Sequence, residues 1–248
     1  MPLLRYLIRQ QVIIRKESNM NQEELKTACQ VKRLFQQLEE TMAGALLEKY
    51  EFPWEVLPYI HDFILQLGPT LSEEIYEERE EHVWIARTAK IYPTAYIAGP
   101  TIIGPDTEVR PGAFIRGNAL VGSGCVIGNS TELKNVILFN SVQVPHYNYV
   151  GDSILGYKSH MGAGSITSNV KADKTLVEVK SEEGTLSTGL KKFGAILGDH
   201  VEIGCNTVLN PGTVVGRNSN VYPVSMVRGV VPEGSIYKKQ AELAEKRM

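Results

Sequence analysis

Three basic side chains in the middle of the chain are candidates for chemistry: Arg110, Lys134 and His146. An imidazole titrates near neutral pH and can accept a proton, while guanidinium and ammonium groups can hold anionic parts of a substrate. His146 lies between Val144 and Asp152, where a regular spacing of apolar residues is interrupted. Because function concentrates where a regular scaffold is interrupted, this region is the candidate site.

The regular spacing has a period of six residues. Every sixth position from Ile85 to Phe139 is apolar, and the same spacing returns from Leu197 to Val227. A helix would need apolar residues about 3.6 positions apart, and a half-buried strand about two apart. A period of six with Gly or turn residues between is typical of a hexapeptide β-helix. The alternative, a β-sandwich with chance spacing, does not explain two separate runs.

The repeat predicts a mainly β fold in which three hexapeptides form one triangular coil of about eighteen residues. Each coil needs its neighbours to bury its apolar side chains. Arg110 and His146 are thirty-six positions apart, so they are predicted to stack on one side, two coils and roughly 10 Å apart. Arg110 would then hold the far end of a substrate rather than contact His146.

Composition narrows the class of protein. The 248 residues carry a net charge of -2, with 43% hydrophobic and 22% charged residues, as in soluble globular proteins. This charge gives no case for nucleic acid or membrane as a partner. Three Cys residues suggest neither a disulfide framework nor a metal motif, which fits a cytoplasmic protein.

The N-terminus is not expected to carry a signal peptide. No apolar run approaches transmembrane length, and residues 1–14 are interrupted by Arg5 and Arg9 without a cleavage motif. Met20 is an alternative natural start.

Residues 1–82 are predicted to form a helical N-terminal unit. Residues 21–49 show helical apolar spacing, with Asn21 as N-cap and Glu24 three positions later. A second short helix is predicted from Val56 to Leu67, ended by Gly68-Pro69. Six Glu residues within 70–82 indicate a solvated helix face. The unit is too small for a nucleotidyltransferase domain, so we interpret it as a cap or oligomerisation element over the first coil.

The β-helix is predicted to cover residues 83–234 with one inserted loop. Residues 170–193 lose the period of six and alternate instead, which predicts a protruding hairpin. Residues 235–248 are interpreted as a short C-terminal helix or tail.

The motifs of the candidate region resemble a known family. In chain order they are Val109-Arg110-Pro111-Gly112-Ala113, Glu132-Leu133-Lys134, His146-x-x-Tyr149-x-Gly151-Asp152 and Gly162-Ala163-Gly164-Ser165-Ile166-Thr167-Ser168-Asn169. They resemble the acetyltransferase half of the bacterial glucosamine-1-phosphate acetyltransferase/N-acetylglucosamine-1-phosphate uridyltransferase, and the C-terminal domains of archaeal sugar-1-phosphate nucleotidylyltransferases. The resemblance covers about residues 95–232 and lacks the nucleotidyltransferase half.

The resemblance implies a left-handed β-helix that transfers an acetyl group from acetyl-CoA to the amine of a hexosamine 1-phosphate. It implies His146 as general base, with Arg110 and Lys134 holding the phosphate and sugar. Tyr149 and Asn169 would bind the sugar, and the backbone at Ala163 and Cys205 would lie along acetyl-CoA. The resemblance further implies a homotrimer with sites between subunits, working in UDP-N-acetylglucosamine synthesis.

Some assignments stay open. A substrate-binding Lys is expected after Asn169, and Lys171 and Lys174 compete for that role because the loop differs in length. His160 stands where the bacterial enzymes usually have Asn, and it is interpreted as structural, as are Cys125 and Cys205. Another acyl acceptor and a non-catalytic scaffold are alternative functions. A zinc site of the γ-class carbonic anhydrase kind is disfavoured because His146, His160 and His200 include no closely spaced pair.

Overall fold

The computed structural model describes residues 20–182 and 184–238. It is a three-sided solenoid of short strands joined by parallel ladders, which confirms the predicted β-helix. Its handedness stays a prediction. Two long strands, β10 (Glu132–Leu138) and β12 (Tyr149–Leu155), bend round the corner between the third face and the first.

The remaining strands belong to one face each. The first face contains β2 (Val83–Ala86), β5 (Thr101–Ile103), β8 (Ala119–Val121), β17 (Ala195–Leu197), β20 (Thr213–Val215) and β23 (Val230–Val231). The second face contains β3 (Lys90–Ile91), β6 (Glu108–Val109), β9 (Val126–Asn129), β11 (Gln143–His146), β13 (His160–Met161), β18 (Glu202–Ile203), β21 (Asn220–Val221) and β24 (Ile236–Tyr237). The third face contains β4 (Tyr96–Ile97), β7 (Phe114–Ile115), β14 (Ile166–Thr167), β19 (Val208–Leu209) and β22 (Met226–Val227).

Apart from Phe139, which packs on Phe35 of the N-terminal unit, the period-six residues form the core inside the solenoid. Fourteen of the sixteen positions are buried, and Ile91 and Ile97 in the early coils are partly buried. The period fails in the middle because β10 and β12 run through a corner without a separate turn. Each therefore places its inward residues five positions apart, Leu133 then Leu138 in β10, instead of six.

The coils that contain β10 and β12 are therefore one residue shorter than the regular eighteen, since Leu133 pairs with Val150, seventeen positions later.

The N-terminal unit lies along the first face instead of capping the first coil. It consists of α1 (Gln22–Ala28), α2 (Val31–Leu34), α3 (Gly44–Leu47) and α4 (Ile60–Leu67), with 3-10 helices at Leu38–Glu40, Pro53–Tyr59 and Gly68–Thr70. The outward side chains of the first face are apolar and buried under it: Trp84, Ile102, Leu120, Ile137, Ile154, Ile196, Val214 and Val230. A face that is apolar on both sides needs such a cover.

The single helix predicted over residues 21–49 is wrong. The capping box of Asn21 and Glu24 is present, but α1 ends at Ala28 and shorter helices follow. The backbone carbonyls of Leu34 and Glu40 accept hydrogen bonds from Asp199 and Asn140 of the solenoid. Each carbonyl belongs to the last residue of a short helix, so docking on the solenoid replaces a continuous helix.

The helix predicted for the acidic segment is also wrong, because the segment forms strand β1 (Tyr76–Glu80), which is antiparallel to β2. Its charged, exposed side chains lie on the outer edge of the sheet, where charge discourages pairing with other chains.

The predicted hairpin is confirmed as β15 (Glu178–Lys180) and β16 (Thr185–Ser187). It packs against α1, and Gln22 exchanges two hydrogen bonds with the Thr185 backbone. The hairpin is therefore partly covered rather than fully protruding. At the C-terminus, Ile236–Tyr237 form strand β24 instead of a helix, and residues 239–248 of the predicted tail lie outside the described residues.

Candidate active site

A ladder of Asn and Asp side chains forms the corner where the third face meets the first. Asn118, Asn135, Asp152 and Asn169 follow one another at intervals of seventeen residues. The first three adopt left-handed backbone angles, with φ of 51°, 54° and 47°, a conformation that Asn and Asp tolerate best among non-glycine residues. The side-chain amides of Asn135 and Asn169 both donate hydrogen bonds to the Asp152 carboxylate.

Asp152 is a buried anion matched by one cation. Its side chain is 5% exposed, and both carboxylate oxygens accept from the Lys134 ammonium, at 3.0 and 3.2 Å. Lys134 is itself 25% exposed. A buried carboxylate needs such a partner and filled hydrogen-bonding positions, so Lys134 is held rigidly at the corner.

Tyr149 completes this cluster. Its hydroxyl accepts a hydrogen bond of 3.1 Å from the Asn169 amide, which leaves its own proton free for a ligand. Burial raises the pKa of the Tyr149 phenol, and the charges of Asp152 and Glu132 raise it further. A Cβ atom at Gly151 would lie 2.4 Å from the Tyr149 hydroxyl. The absence of a side chain at Gly151 therefore makes room for the Tyr149 ring.

His146 lies at the other edge of the third face, at the end of β11, and it is exposed. Its backbone carbonyl accepts from Gly164 at 3.0 Å, so the turn containing Ala163 lies one coil above it. The Ala163 carbonyl accepts from Asn206, and the Cys205 carbonyl accepts from Val224, each at 2.8 Å. His146, Ala163, Cys205 and Val224 thus form one column at this corner, which we call the His146 column.

The structure brings together three of the predicted site residues: Lys134, Tyr149 and Asn169. His146 is separate from them within one protomer. Five residues lead from His146 to Gly151, the strand partner of Lys134, so the two positions lie at most about 17 Å apart. The third face between these edges is a surface that a ligand or a second subunit can span.

Arg110 is not part of this cluster, and its predicted stacking with His146 is wrong. The Arg110 amide bonds to Ile127, and Ile127 pairs with Val144, seventeen positions on. The shorter coil therefore aligns Arg110 with Pro145 instead of His146. The Arg110 guanidinium pairs with Glu108 at 3.2 Å.

The competing lysines lie in the loop that leaves the site at Asn169. The loop is closed at its base by a 3.0 Å hydrogen bond from the Phe193 amide to the Asn169 carbonyl. Lys171 bonds to Thr175 and pairs with Asp173 at 3.6 Å. Lys174 is exposed and has a left-handed backbone, and it forms no ion pair with the residues that the structure describes.

Sequence reasoning assigned no role to Asn135, Asp152, Arg116 and Glu132, although Glu132 and Asp152 stand in its motifs. Arg116 lies one coil below Lys134 and forms a 2.7 Å ion pair with Glu132. The signals were present in the sequence. Arg116 precedes Lys134 by the eighteen residues of a regular coil, and the ladder residues are spaced by seventeen.

The remaining candidate residues, His160, Cys125 and Cys205, lie in different environments. His160 pairs with Glu202 through a 2.8 Å contact on the second face. Cys125 is buried, and burial raises the pKa of its thiol to about 12, as expected for a packing residue. Cys205 is exposed, so the packing role predicted for it is wrong. Within residues 20–182 and 184–238, no cluster of His, Cys, Asp and Glu could hold a metal, and no helix could cross a membrane.

A solenoid with this repeat is that of the hexapeptide-repeat proteins. The family described as the GMPPB C-terminal domain matches residues 97–220, half of the sequence, and the chain belongs to that family.

Two relatives show what kinds of protein share the sequence. "Bifunctional protein GlmU" of Methanococcus vannielii is 33% identical over 204 residues, which cover 79% of this chain and 48% of that protein. A "Bifunctional sugar-1-phosphate nucleotidylyltransferase/acetyltransferase" of Sulfurisphaera tokodaii is 34% identical over 112 residues, covering 45% and 28%. The chain therefore spans about half the length, or less, of these two relatives.

Among solved structures, a hexapeptide transferase family protein from Anaplasma phagocytophilum is 20% identical, with a TM-score of 0.36. The match covers 62% of this chain and 73% of that one. The expected resemblance to hexapeptide-repeat acetyltransferase domains is confirmed by the family match and the relatives.

Proposed function

We propose that the chain is an N-acetyltransferase that moves an acetyl group from acetyl-CoA to the amine of a hexosamine 1-phosphate, with His146 as general base. The observation that carries the proposal is the His146 column. It joins an exposed imidazole to the turns of Ala163 and Cys205, which the resemblance assigns to acetyl-CoA. Family membership and the acetyltransferase named in a relative agree with this chemistry.

The reaction needs a base but no covalent enzyme intermediate. The acceptor nitrogen attacks the thioester carbonyl, His146 takes the proton that nitrogen loses, and the thiolate of CoA leaves and is protonated. The exposed imidazole of His146 is free to take this proton. The small side chain of Ala163 leaves room for an extended ligand along the column.

The cluster at the far edge of the third face supports sugar binding. Lys134, Tyr149 and Asn169 present an ammonium, a hydroxyl and an amide on rigid strands or directly beside one, a set suited to hydroxyl groups. Because this cluster is separate from His146 in one protomer, a site formed between subunits of a homotrimer accounts for both halves. The product, an N-acetylhexosamine 1-phosphate, fits UDP-N-acetylglucosamine synthesis.

A second candidate is acetyl transfer to an amino sugar or small amine that carries no phosphate. It is favoured by the ion pairs of the site, because the charge of Lys134 is already matched by Asp152 and that of Arg110 by Glu108. A non-catalytic scaffold is the third possibility.

The test is thiol release from acetyl-CoA with glucosamine 1-phosphate, glucosamine and small amines as acceptors. His146→Asn is expected to lower kcat by about a hundredfold to ten-thousandfold, because it removes the base. Acetyl-CoA binding, measured by calorimetry, should survive in that variant. His82→Asn is the matched control, since His82 is exposed and its left-handed φ of 61° suits Asn.

Full activity in His146→Asn would remove the proposed base. Turnover of glucosamine but not of its phosphate would select the second candidate. No turnover with any acceptor, together with no acetyl-CoA binding, would favour the non-catalytic scaffold as the function of the chain.

A further inference from the structure

A second cation, the Arg116 guanidinium, lies directly beside the cluster formed by Lys134, Tyr149, Asp152 and Asn169. Phe114 pairs with Glu132, and the Arg116 amide bonds to the Leu133 carbonyl at 2.9 Å, so Arg116 lies next to Lys134 on the adjacent coil. On the other side of Lys134 the partner is Gly151. The three positions form a column at intervals of about 4.8 Å, with two cations beside a residue that has no side chain.

The two cations differ in their freedom. Lys134 is 25% exposed and bound to both oxygens of buried Asp152, so its positive charge is already balanced by that carboxylate. Arg116 is 47% exposed, and its ion pair is a single contact between Nη1 and an oxygen of Glu132. Glu132 is 31% exposed and can turn towards solvent. Arg116 therefore keeps most of its donors for a ligand.

We infer that Arg116, and not Arg110, holds the phosphate of the acceptor, and that Glu132 occupies its guanidinium until phosphate displaces it. The inference rests on the proposed function and deepens it. A guanidinium can offer two parallel N–H groups to a phosphate. The phosphate would lie beside the Tyr149 hydroxyl and the Lys134 ammonium. Glu132 is then a competing anion that limits affinity for the phosphate.

The test compares KM for glucosamine 1-phosphate with KM for glucosamine in thiol-release assays. Arg116→Gln should raise KM for the phosphate by about tenfold to a hundredfold, the value of hydrogen bonds to a charged group. KM for glucosamine should stay within about twofold, because this acceptor lacks the phosphate. Glu132→Gln should lower KM for the phosphate selectively, since the competing carboxylate is removed.

Arg87→Gln is the matched control. Arg87 is 52% exposed and pairs with Glu77 through a single Nη1 contact, as Arg116 does with Glu132. It should leave both KM values unchanged. Arg110→Gln decides between the two assignments. If it, and not Arg116→Gln, raises KM for the phosphate, the inference is overturned. A higher KM for glucosamine 1-phosphate in Glu132→Gln would show that Glu132 does not compete with the phosphate for Arg116.

Failure of the proposed function is recognised separately. If wild-type protein turns over neither acceptor, the proposed activity is wrong, and calorimetric binding of glucosamine 1-phosphate and inorganic phosphate tests Arg116 alone. Binding that is lost in Arg116→Gln and kept in Arg110→Gln supports the phosphate site. Equal binding by both variants, or no binding to the wild type, contradicts it.

Discussion

At the scale of single residues, Asp152 organises the candidate site. One buried carboxylate accepts hydrogen bonds from Lys134 and Asn135 on the preceding coil and from Asn169 on the following coil. Asp suits this corner for two reasons: it tolerates the left-handed φ, and its carboxylate supplies two acceptor oxygens. The ladder thus fixes the backbone bend and the Lys134 ammonium together.

Asp152→Asn is expected to lower the free energy of unfolding by about 3 kcal/mol, the lower end for breaking a buried ion pair. Asn keeps the backbone angle but replaces one acceptor by an NH2 group that faces the donors of Lys134, Asn135 and Asn169. Urea denaturation should show a lower midpoint with an unchanged slope. Asp173→Asn, which breaks the exposed pair with Lys171, should leave the midpoint unchanged. Equal stability of Asp152→Asn and wild type would show that the carboxylate is not required.

The sequence predicts part of this site, for a physical reason. Motif resemblance identifies Lys134, Tyr149 and Asn169, and the structure brings these three together. The expected stacking of Arg110 on His146 fails because it assumed coils of equal length. Once β10 bends through a corner, the coil loses a residue and every later neighbour shifts by one.

At the scale of elements, the first face explains the N-terminal unit. Period-six reasoning finds the inward residues but says nothing about the outward ones, so it leaves the position of the unit open. The missing signal is the apolar residue that precedes the inward residue in every coil of the first face, as in Trp84-Ile85 and Ile102-Ile103. Helical spacing in residues 21–49 predicts burial correctly, but docking decides where each helix ends.

Trp54→Ala is expected to destabilise the protein by about 3–5 kcal/mol, because it removes a large buried aromatic side chain. Trp54 is 1% exposed, and its ring packs on Phe52 at 4.7 Å and on Phe193 at 5.7 Å. It therefore joins the N-terminal unit to the base of the loop that leaves Asn169. Thermal and urea unfolding measure the loss.

Tyr59→Ala is the control from the same 3-10 helix. Tyr59 is 47% exposed, so the loss should be about 1 kcal/mol or less. If the two variants lose equal stability, Trp54 is not the link between the N-terminal unit and the solenoid.

At the scale of the whole molecule, the three faces have different surfaces. The first is covered by the N-terminal unit, and the second carries polar and charged outward residues such as Lys90, Glu108 and Gln143. The third carries an apolar outward row on both sides of the candidate site: Tyr96, Phe114, Ile166, Val208 and Met226. An exposed apolar row of this kind is typical of an interaction surface.

The proposed homotrimer is expected to use the third face. Tyr96 and Met226, at opposite ends of the row, are 60% and 65% exposed in one protomer. The double variant Tyr96→Glu/Met226→Lys should dissociate the trimer, because burying two unpaired charges is unfavourable. Light scattering should show three times the 27.5 kDa chain mass for the wild type and one chain mass for the variant. Acetyl transfer should fall with trimer content, since Lys134 and His146 lie at opposite edges of this face.

Ile75→Lys is the control for this change, because Ile75 is 49% exposed but lies before β1, away from the row. It should stay trimeric and active. A monomeric wild type would exclude the trimer. A trimeric double variant would instead place the contact on another surface, and the site would then have to be completed within one protomer, by a ligand long enough to span the third face.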